Sequence, residues 1–312
     1  MIPVIEEAEL RAAVTPARAV EVIRDAFRAD GEGRTIVPPV INLEVTHGEF
    51  HVKTAHIAGV SHVAVKIASG FYGNVAKGLP TGSGLMALFD ADTGLPAALL
   101  LDNGFLTDVR TGAAGAVAAE FLARNQVETV GVIGSGVQAR HQVWCLRIVR
   151  PFSRIVAWSP SRPRLEKYCD EMRREGFEAV AAGSIEEVCD VADVLITTTP
   201  SREPIVRAEW LRPGMHVTAV GSDSPGKQEL SSFCLIRADL VVVDRRAQCA
   251  AFGELKHAIE VGLRIEPIEL GEIVAGRRTG RVNDSQITVA DLTGVGFQDT
   301  AIASAAFHWT SL

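Results

Sequence analysis

Residues 129–139 read Thr-Val-Gly-Val-Ile-Gly-Ser-Gly-Val-Gln-Ala, a short apolar run that breaks into Gly-x-Gly-x-x-Ala and then into a helical pattern. In such a stretch Gly134 allows a tight turn, Gly136 lets the backbone approach a pyrophosphate, and Ala139 lets the helix pack close to its strand. The phosphates would then lie at the helix N-terminus. The pattern indicates the opening of a dinucleotide-binding βαβ unit, although a glycine-rich turn of this kind can also be no more than a turn.

The segments after this turn continue the alternation of strand and helix. A helix is predicted from Val137 to Arg150, and strands are predicted over 154–158, 192–199, 216–221 and 240–244. Strands that are almost continuously Val, Ile and Leu, with helices between them, are typical of a parallel sheet buried on both faces. We therefore predict the α/β class, with a Rossmann-type doubly wound parallel sheet.

The first hundred residues have a different pattern, which predicts a second, mixed α+β lobe. A helix runs from Thr15-Pro16 to Gly31, and candidate strands follow at 35–44, 49–56, 61–68, 84–90 and 96–102. An alanine-rich helix is predicted over 107–125, and a strand from Ile287 leads through glycines into a last helix ending near Ala306. We place the second lobe at 1–118 with 297–312, which makes it discontinuous, and the Rossmann domain at 119–296.

Composition excludes several classes of function. The 312 residues are 47% hydrophobic with a net charge of -7, and no long block of like charge points to a nucleic-acid or membrane-surface partner. No run approaches the ~18 apolar residues of a membrane span, and no secretory leader is recognisable, so we expect a cytoplasmic protein. The five cysteines have no Cys-x-x-Cys spacing and are expected to be buried thiols. The histidines have no ligand spacing, so no metal is expected.

Five motifs together carry a resemblance to a known family. They are Arg34-Thr-Ile-Val-Pro38, the strand around Lys66, Leu106-Thr-Asp-Val-Arg-Thr111, Gly134-Ser-Gly-Val-Gln-Ala139 and Gly221-Ser-Asp-Ser-Pro-Gly-Lys-Gln-Glu-Leu230. In this order, over nearly the whole chain, they resemble the ornithine cyclodeaminase and mu-crystallin family. The resemblance implies hydride exchange between NAD(P)(H) and the α-carbon of a small amino or imino acid. It also implies a homodimer built through the lobe at 1–118 with 297–312, which would also bind substrate.

The resemblance assigns roles to four charged residues of a cleft between the lobes. Arg34, Lys66 and Arg110 match the cations that bind the substrate α-carboxylate, and Lys66 lies within an apolar run where an unpaired ammonium would be costly. Asp223 matches the catalytic acid that exchanges a proton with the substrate nitrogen, with Lys66 as the second catalytic residue and Lys227 as a potential ion-pair partner of Asp223. Asp223 could instead be only an Asx-turn residue before Ser224-Pro225-Gly226.

The predicted cofactor site combines the glycine turn with several strand tips. After the second strand of the Rossmann domain the chain has Ser159-Pro160-Ser161-Arg162, without the acid that usually binds the ribose of NAD, so NADP is slightly favoured over NAD. Arg162 could also be only a solvated helix residue. The candidate cofactor residues are Gly134, Ser135, Gly136, Val137, Gln138, Ala139, Ser159, Ser161, Arg162, Thr198, Thr199, Val220, Val295 and Gly296.

A departure from the family pattern indicates which kind of substrate side chain the protein binds. Where ornithine cyclodeaminases carry a glutamate for the distal amine, this chain has His51, with Lys53 two residues on and on the same strand face. Two potential cations would repel that amine, and they favour a second carboxylate or a short neutral side chain, as in the ectoine-utilisation and iminosuccinate-reductase branch. The two residues could also form an exposed strand edge.

Three functions remain open at the level of sequence. The first is an imine reductase or amino-acid dehydrogenase. The second is ornithine cyclodeaminase, a lyase in which bound NAD is reduced and reoxidised within one turnover. The third is a mu-crystallin-like protein that binds ligands without catalysis.

Overall fold

The computed structural model describes residues 2–310. Its strands are β1 (Val4–Glu6), β2 (Thr35–Ile36), β3 (Ile41–Val45), β4 (Gly48–Ile57), β5 (His62–Gly70), β6 (Gly82–Asp90), β7 (Pro96–Leu101), β8 (Thr129–Ile133), β9 (Arg154–Trp158), β10 (Glu178–Ala181), β11 (Val194–Thr197), β12 (His216–Ala219), β13 (Leu240–Val243), β14 (Ile268–Glu269) and β15 (Thr288–Asp291). Its α-helices are α1 (Glu7–Ala13), α2 (Pro16–Gly31), α3 (Phe105–Leu122), α4 (Val137–Val149), α5 (Arg162–Arg174), α6 (Ile185–Val191), α7 (Phe233–Arg237), α8 (Arg246–Phe252), α9 (Glu254–Glu260), α10 (Leu270–Val274) and α11 (Gly296–Thr310). Short 3₁₀ helices cover Tyr72–Lys77 and Ala208–Trp210.

The chain divides into two compact units. The first comprises the residues up to Arg110 and those from Val295 onward, and the second comprises Thr111–Gly294. The sequence placed the corresponding boundaries at 118/119 and 296/297. The first boundary of the structure falls inside α3, a continuous helix, so no turn residue marks it in the sequence.

The second unit is built on a parallel sheet in the order β10-β9-β8-β11-β12-β15-β13-β14. The chain runs outward from β8 through β9 to β10 and then returns to β11 on the other side of β8, which makes β8/β11 the point where the strand order reverses. Residues of β8, β11, β12 and β15 are buried along their whole length, as expected for a sheet covered on both faces. The predicted doubly wound α/β fold is confirmed.

The first unit contains a mixed sheet in the order β1-β7-β6-β5-β4-β2, with β3 also paired to β4. Only the β1–β7 pair is parallel, and the other pairs are antiparallel. Helix α2 begins as the sequence predicted, because the Thr15 hydroxyl accepts a hydrogen bond from the Arg18 amide and Pro16 occupies the first turn. Its apolar face, which includes Phe27, is buried, and α11 packs against α2, β4 and β5.

Several predicted element boundaries were wrong for local reasons. The strand expected over 35–44 is split into β2 and β3, because Pro38 and Pro39 cannot donate ladder hydrogen bonds. Strands β1, β10 and β14, at the edges of their sheets, were not predicted.

The five cysteines are buried and none forms a disulfide, as the sequence predicted. Burial raises the pKa of the Cys145 thiol to about 12, so it stays protonated. Within residues 2–310, none of the helices combines the length and apolar character required to cross a bilayer.

The first residue of helix α11 packs tightly against the sheet of the first unit. A Cβ on Gly296 would overlap the backbone carbonyl of Thr54 in β4. The Thr300 hydroxyl donates to the carbonyl of Ala55 in β4 at 2.8 Å and accepts from the amide of Ala64 in β5 at 3.2 Å. The start of α11 is therefore held against two adjacent strands.

We expect Gly296→Ala to lower the free energy of unfolding by about 1–3 kcal/mol, since the methyl group must displace backbone and not a mobile side chain. Chemical denaturation followed by circular dichroism measures the change. Gly73→Ala is the matched control in the same unit, because a Cβ there meets no atom within 4 Å. Equal stability of the two variants would contradict the proposed locking contact.

Candidate functional site

The glycine turn after β8 lies at the reversal point of the second sheet. Gly134 has a φ of 119°, and a Cβ there would overlap the side chain of Thr198, which follows the neighbouring strand β11. Its amide donates to the carbonyl of Trp158 at the end of β9, at 2.8 Å. Only glycine fits this position, because both the conformation and the space exclude a side chain.

The backbone of the next glycine is open. Gly136 precedes α4, no side chain caps that helix, and a Cβ at Gly136 would meet no atom within 4 Å. Ala139 is fully buried, whereas Val137 is exposed and Ser135 and Gln138 are half-buried. Uncapped amides at the N-terminus of a helix attract anions, so this turn fits the pyrophosphate of a dinucleotide.

The tip of β9 carries hydroxyl groups and an arginine. The Ser135 hydroxyl donates to the Ser159 hydroxyl at 3.0 Å, which links the glycine turn to this tip. Ser161 precedes α5 without capping it, and the Arg162 guanidinium pairs with Glu166 one turn on, at 2.5 Å. These residues could face the ribose end of a dinucleotide. In this structure, however, the Arg162 guanidinium forms an ion pair within α5, with Glu166.

A buried carboxylate, Glu229, which no sequence pattern marked as a site residue, fixes the tips of β11 and β12. Glu229 accepts from the Thr197 hydroxyl at 2.6 Å, the Thr199 amide at 2.5 Å and the Gly221 amide at 2.8 Å. Burial raises the pKa of Glu229 to about 7, against the opposing effect of these donors. Glu229 therefore holds the backbone on both sides of the predicted cofactor residues Thr198, Thr199 and the buried Val220.

Asp223 follows β12 in a loop that leaves its carboxylate half-exposed. Its Oδ1 lies 2.7 Å from Nζ of Lys227, which confirms the predicted ion pair, and Lys227 itself is 7% exposed. The Lys227 carbonyl accepts from the Ser222 hydroxyl at 2.7 Å and lies 2.8 Å from Nε2 of His257, so the loop is held from both sides. Asp223 is thus an accessible carboxylate beside a fixed cation.

In the first unit, two predicted cations share one buried carboxylate. Lys66 Nζ lies 3.0 Å and Arg110 Nε 2.9 Å from the same Oδ1 of Asp299, and the three side chains are 2%, 4% and 0% exposed. Arg110 also donates to Oε1 of Gln298 at 3.0 Å. Asp299 was not predicted as a site residue. It is the one acid in the apolar helix α11, and the apolar surroundings of Lys66 already required such a partner.

A third cation belongs to this cluster. Lys53 in β4 is the direct cross-strand neighbour of Lys66 in β5, and it is 7% exposed. Its charge, together with those of Arg110 and Lys66, keeps the pKa of Asp299 below the usual range although burial acts to raise it. Like charges directly opposite each other in a sheet repel, so this arrangement depends on a nearby anion.

Two of the predicted substrate residues are engaged elsewhere. His51 Nδ1 lies 2.6 Å from Oδ1 of Asn42, its cross-strand partner in β3, and Nε2 lies 3.6 Å from Glu49. Arg34 is exposed, pairs with Glu32 at 2.6 Å and donates to the Ala58 carbonyl at 3.3 Å. The structure thus unites Lys53, Lys66 and Arg110, whereas His51 and Arg34 have other partners.

The last two predicted cofactor residues, Val295 and Gly296, lie at the start of α11. Val295 is buried and Gly296 packs against β4 as described. Nε2 of Gln298 and Oδ2 of Asp299 have no hydrogen-bond partner within residues 2–310. A buried donor and a buried acceptor without partners are costly, so these two atoms point to a polar ligand at the cluster.

The electrostatics of the cluster favour an anion. Burial and the charges of Arg110 and Lys53 lower the pKa of Lys66, Asp299 opposes them, and the resulting pKa is about 7. Asp102, directly after β7, interacts electrostatically with Lys66, and burial raises the pKa of Asp102 to about 6. Three cations, Lys53, Lys66 and Arg110, thus meet two carboxylates, Asp299 and Asp102, and a ligand carboxylate would add negative charge to the cluster.

A dinucleotide-binding unit and a buried cationic cluster suited to a carboxylate define a class of enzymes that act on small carboxylic acids with a nicotinamide cofactor. The chain belongs to the ornithine cyclodeaminase/mu-crystallin family, whose model matches residues 3–308. The resemblance drawn from the five motifs is therefore confirmed.

Known relatives cover the chain almost completely. A protein of Sinorhizobium fredii named an uncharacterized cyclodeaminase is 44% identical over 98% of this chain and 95% of its own length. The structure of an archaeal alanine dehydrogenase dimer with bound NAD is 34% identical, covers 99% of this chain and 95% of that chain, and has a TM-score of 0.92. The iminosuccinate reductase of Paracoccus denitrificans in complex with NAD⁺ is 31% identical, with coverages of 99% and 96% and a TM-score of 0.91. This chain is accordingly an enzyme.

We expect the affinity of the NAD-saturated protein for pyruvate, as a probe carboxylate, to fall about tenfold or more between pH ~6 and pH ~9. Lys66 is charged below its pKa of about 7 and neutral above it, so the attraction for an anion is lost as the pH rises. Isothermal titration calorimetry measures the change. In Lys66→Arg the affinity should stay nearly constant, because arginine keeps its charge. A constant affinity in the unmodified protein would contradict this role of Lys66.

Proposed function

We propose that this protein is an NAD(P)-dependent oxidoreductase that reduces a small α-imino acid or, in reverse, dehydrogenates the corresponding amino acid. The observation that carries the proposal is the buried Lys53–Lys66–Arg110 cluster around Asp299, in a chain whose other unit has a turn fit for a dinucleotide. Its relatives named alanine dehydrogenase and iminosuccinate reductase carry out chemistry of this kind.

Each unit has a distinct task in the proposed reaction. Gly134, Gly136 and the first turn of α4 would hold the cofactor, which takes or supplies a hydride at the α-carbon when bound. Arg110 and Lys66 would bind the α-carboxylate, the first by a planar guanidinium and the second as a point charge. Arg34 stays a candidate for this role, but it would first have to leave Glu32.

Asp223 is the proposed proton carrier. In the direction of amino-acid oxidation its carboxylate would take a proton from the substrate ammonium, which leaves a free amine whose lone pair assists hydride departure. Lys227, 2.7 Å away, pairs with this carboxylate and holds it in place. The same pair would return the proton to the nitrogen in the reductive direction.

The proposed side chain of the substrate is a second carboxylate or a short neutral group. Lys53 adds a buried positive charge to the cluster, which would repel the distal ammonium of ornithine. Ornithine cyclodeamination remains the second candidate, because Oδ1 of Asp102 and Oδ2 of Asp299 lack partners within residues 2–310 and could accept from an ammonium. A role in binding alone is disfavoured, since it does not need the Asp223–Lys227 pair.

For the cofactor we propose a slight preference for NADP. The tip of β9 carries Ser159, Ser161 and Arg162 and no carboxylate, so a 2′-phosphate would meet hydroxyls and a cation there. The structures of the archaeal alanine dehydrogenase and of the iminosuccinate reductase contain NAD, so NAD is the alternative.

The decisive test follows NADH and NADPH oxidation at about 340 nm with ammonia and a panel of 2-oxo acids that includes oxaloacetate, pyruvate and glyoxylate. We expect oxidation with one member of the panel, faster with NADPH. Asp223→Asn should bind the cofactor normally while turnover falls by about two decades or more, because only the proton carrier is removed.

Ornithine and lysine are assayed in parallel for release of ammonia. Release from ornithine without net change of the cofactor would establish the cyclodeaminase in place of the reductase. Turnover of Asp223→Asn at the rate of the unmodified protein would remove Asp223 from the mechanism. A large preference for NADH would refute the assignment of NADP.

We also propose that the protein forms a homodimer through the first unit. Strand β3 is exposed along its whole length and presents Ile41, Leu43 and Val45, with Ile36 of β2 beside it. A long apolar strand at a sheet edge is a template for pairing with another chain. The archaeal alanine dehydrogenase of the same family is a dimer.

Light scattering coupled to size exclusion should give twice the chain mass for the unmodified protein and the single-chain mass for Leu43→Lys, because a charge on β3 opposes strand pairing. Val282→Lys, at an exposed valine of the second unit, is the control and should remain dimeric. A monomeric unmodified protein, or a dimeric Leu43→Lys, would contradict this interface.

A further inference from the structure

Asp299 occupies a position that the fold specifies closely. It lies in the first turn of α11, whose start is fixed by the contact of Gly296 with Thr54 and by the bonds of Thr300 to β4 and β5. The positive end of the helix dipole also favours a carboxylate there. These contacts place the Asp299 carboxylate beside β4 and β5, the strands that contain Lys53 and Lys66.

The bonds of Asp299 are unequally distributed between its oxygens. Oδ1 accepts from both Lys66 and Arg110, whereas Oδ2 has no partner within residues 2–310. One oxygen therefore sets the spacing of the two cations expected to bind the substrate carboxylate. Because the side chain is fully buried, no solvent screens this interaction.

The surroundings of Lys66 make its charge depend on this carboxylate. It faces Lys53 on β4, Arg110 on α3, Asp102 after β7 and Asp299 on α11, while its neighbour on β6 is the apolar Met86. Burial and Arg110 favour the neutral amine, and Asp299 favours the ammonium. Asp102 differs from Asp299 in its hydrogen bonds: it accepts from the amide of Leu106, whereas the ammonium of Lys66 donates to Asp299.

We propose that Asp299 is a positioning residue that keeps the Lys66 ammonium charged and holds it beside the Arg110 guanidinium in the geometry for a carboxylate. The link to substrate binding rests on the proposed function, but the effect on the charge of Lys66 does not. Without Asp299, Lys66 would keep Lys53 and Arg110 as neighbours and lose the carboxylate hydrogen-bonded to it, so the balance would shift towards the neutral amine. The cluster would then have one donor fewer for an anion.

The titration of Lys66 tests the proposal directly. Two-dimensional NMR of the full-length protein labelled with ¹³C-lysine follows each ammonium, and Lys66→Arg identifies the Lys66 signal by its loss. We expect a midpoint near 7 in the unmodified protein, and a fall of about one to three pH units in Asp299→Asn. If Asp299→Asn does not fold, Asp299→Ser is measured in the same way.

Asp102→Asn is the matched control, because it removes the other buried carboxylate near Lys66 without removing a hydrogen bond to it. We expect a clearly smaller change of the midpoint. An unchanged midpoint in Asp299→Asn, or an equal change in both variants, would overturn the proposal.

Kinetics separate this proposal from the proposed function. With the oxo acid that the panel identifies, the pH at which kcat/KM falls should shift downward in Asp299→Asn by the same interval as the NMR midpoint. In a Lys66→Arg background the same substitution should leave the pH profile in place, because arginine stays charged. A protein that turns over none of the oxo acids would remove the proposed function and leave the NMR result to decide the role of Asp299.

Discussion

The first unit is organised around a buried ion pair between distant parts of the chain. Lys66 lies in the centre of a strand, and its carboxylate partner lies 233 residues later, in the last helix. An ammonium in that strand is strongly unfavourable without a counter-charge, and the same carboxylate also binds Arg110 from α3. Strand, helix and C-terminal segment are thus specified together by one carboxylate.

The second unit uses buried carboxylates in a related way, with backbone amides as partners in place of cations. Glu229 holds the ends of β11 and β12, and the carboxylate of Glu254 accepts from the amides of Glu229 and Leu230. Strand tips at the carboxyl edge of a parallel sheet carry few hydrogen bonds of their own, so such side chains define their course. The loop that contains Asp223 begins directly after one of these fixed points.

Much of the fold and of the candidate site could be predicted from the sequence. The residues that were missed or misassigned depend on partners that the sequence does not reveal. The β8–α4–β9 unit, helix α2 and the buried lysine were predictable, because local periodicity and single glycines decide them. Asp299 was overlooked although its apolar helix made it conspicuous, since its partner lies far away in the sequence. Arg34 was grouped with Lys66 and Arg110 by resemblance, whereas the structure pairs it with Glu32. An ion pair between residues far apart in the chain leaves little signal in the sequence. A motif can identify a charged residue without showing which side chain it pairs with.

The discontinuity of the first unit has a consequence for biosynthesis. Translation runs from the N-terminus, so β4 and β5 emerge early, yet the helix that supplies their carboxylate follows the entire second unit. Until α11 is made, two lysines and an arginine must remain solvated or find other anions, and the sheet cannot close over them. The part of the protein that leaves the ribosome first is therefore the part that completes its folding last.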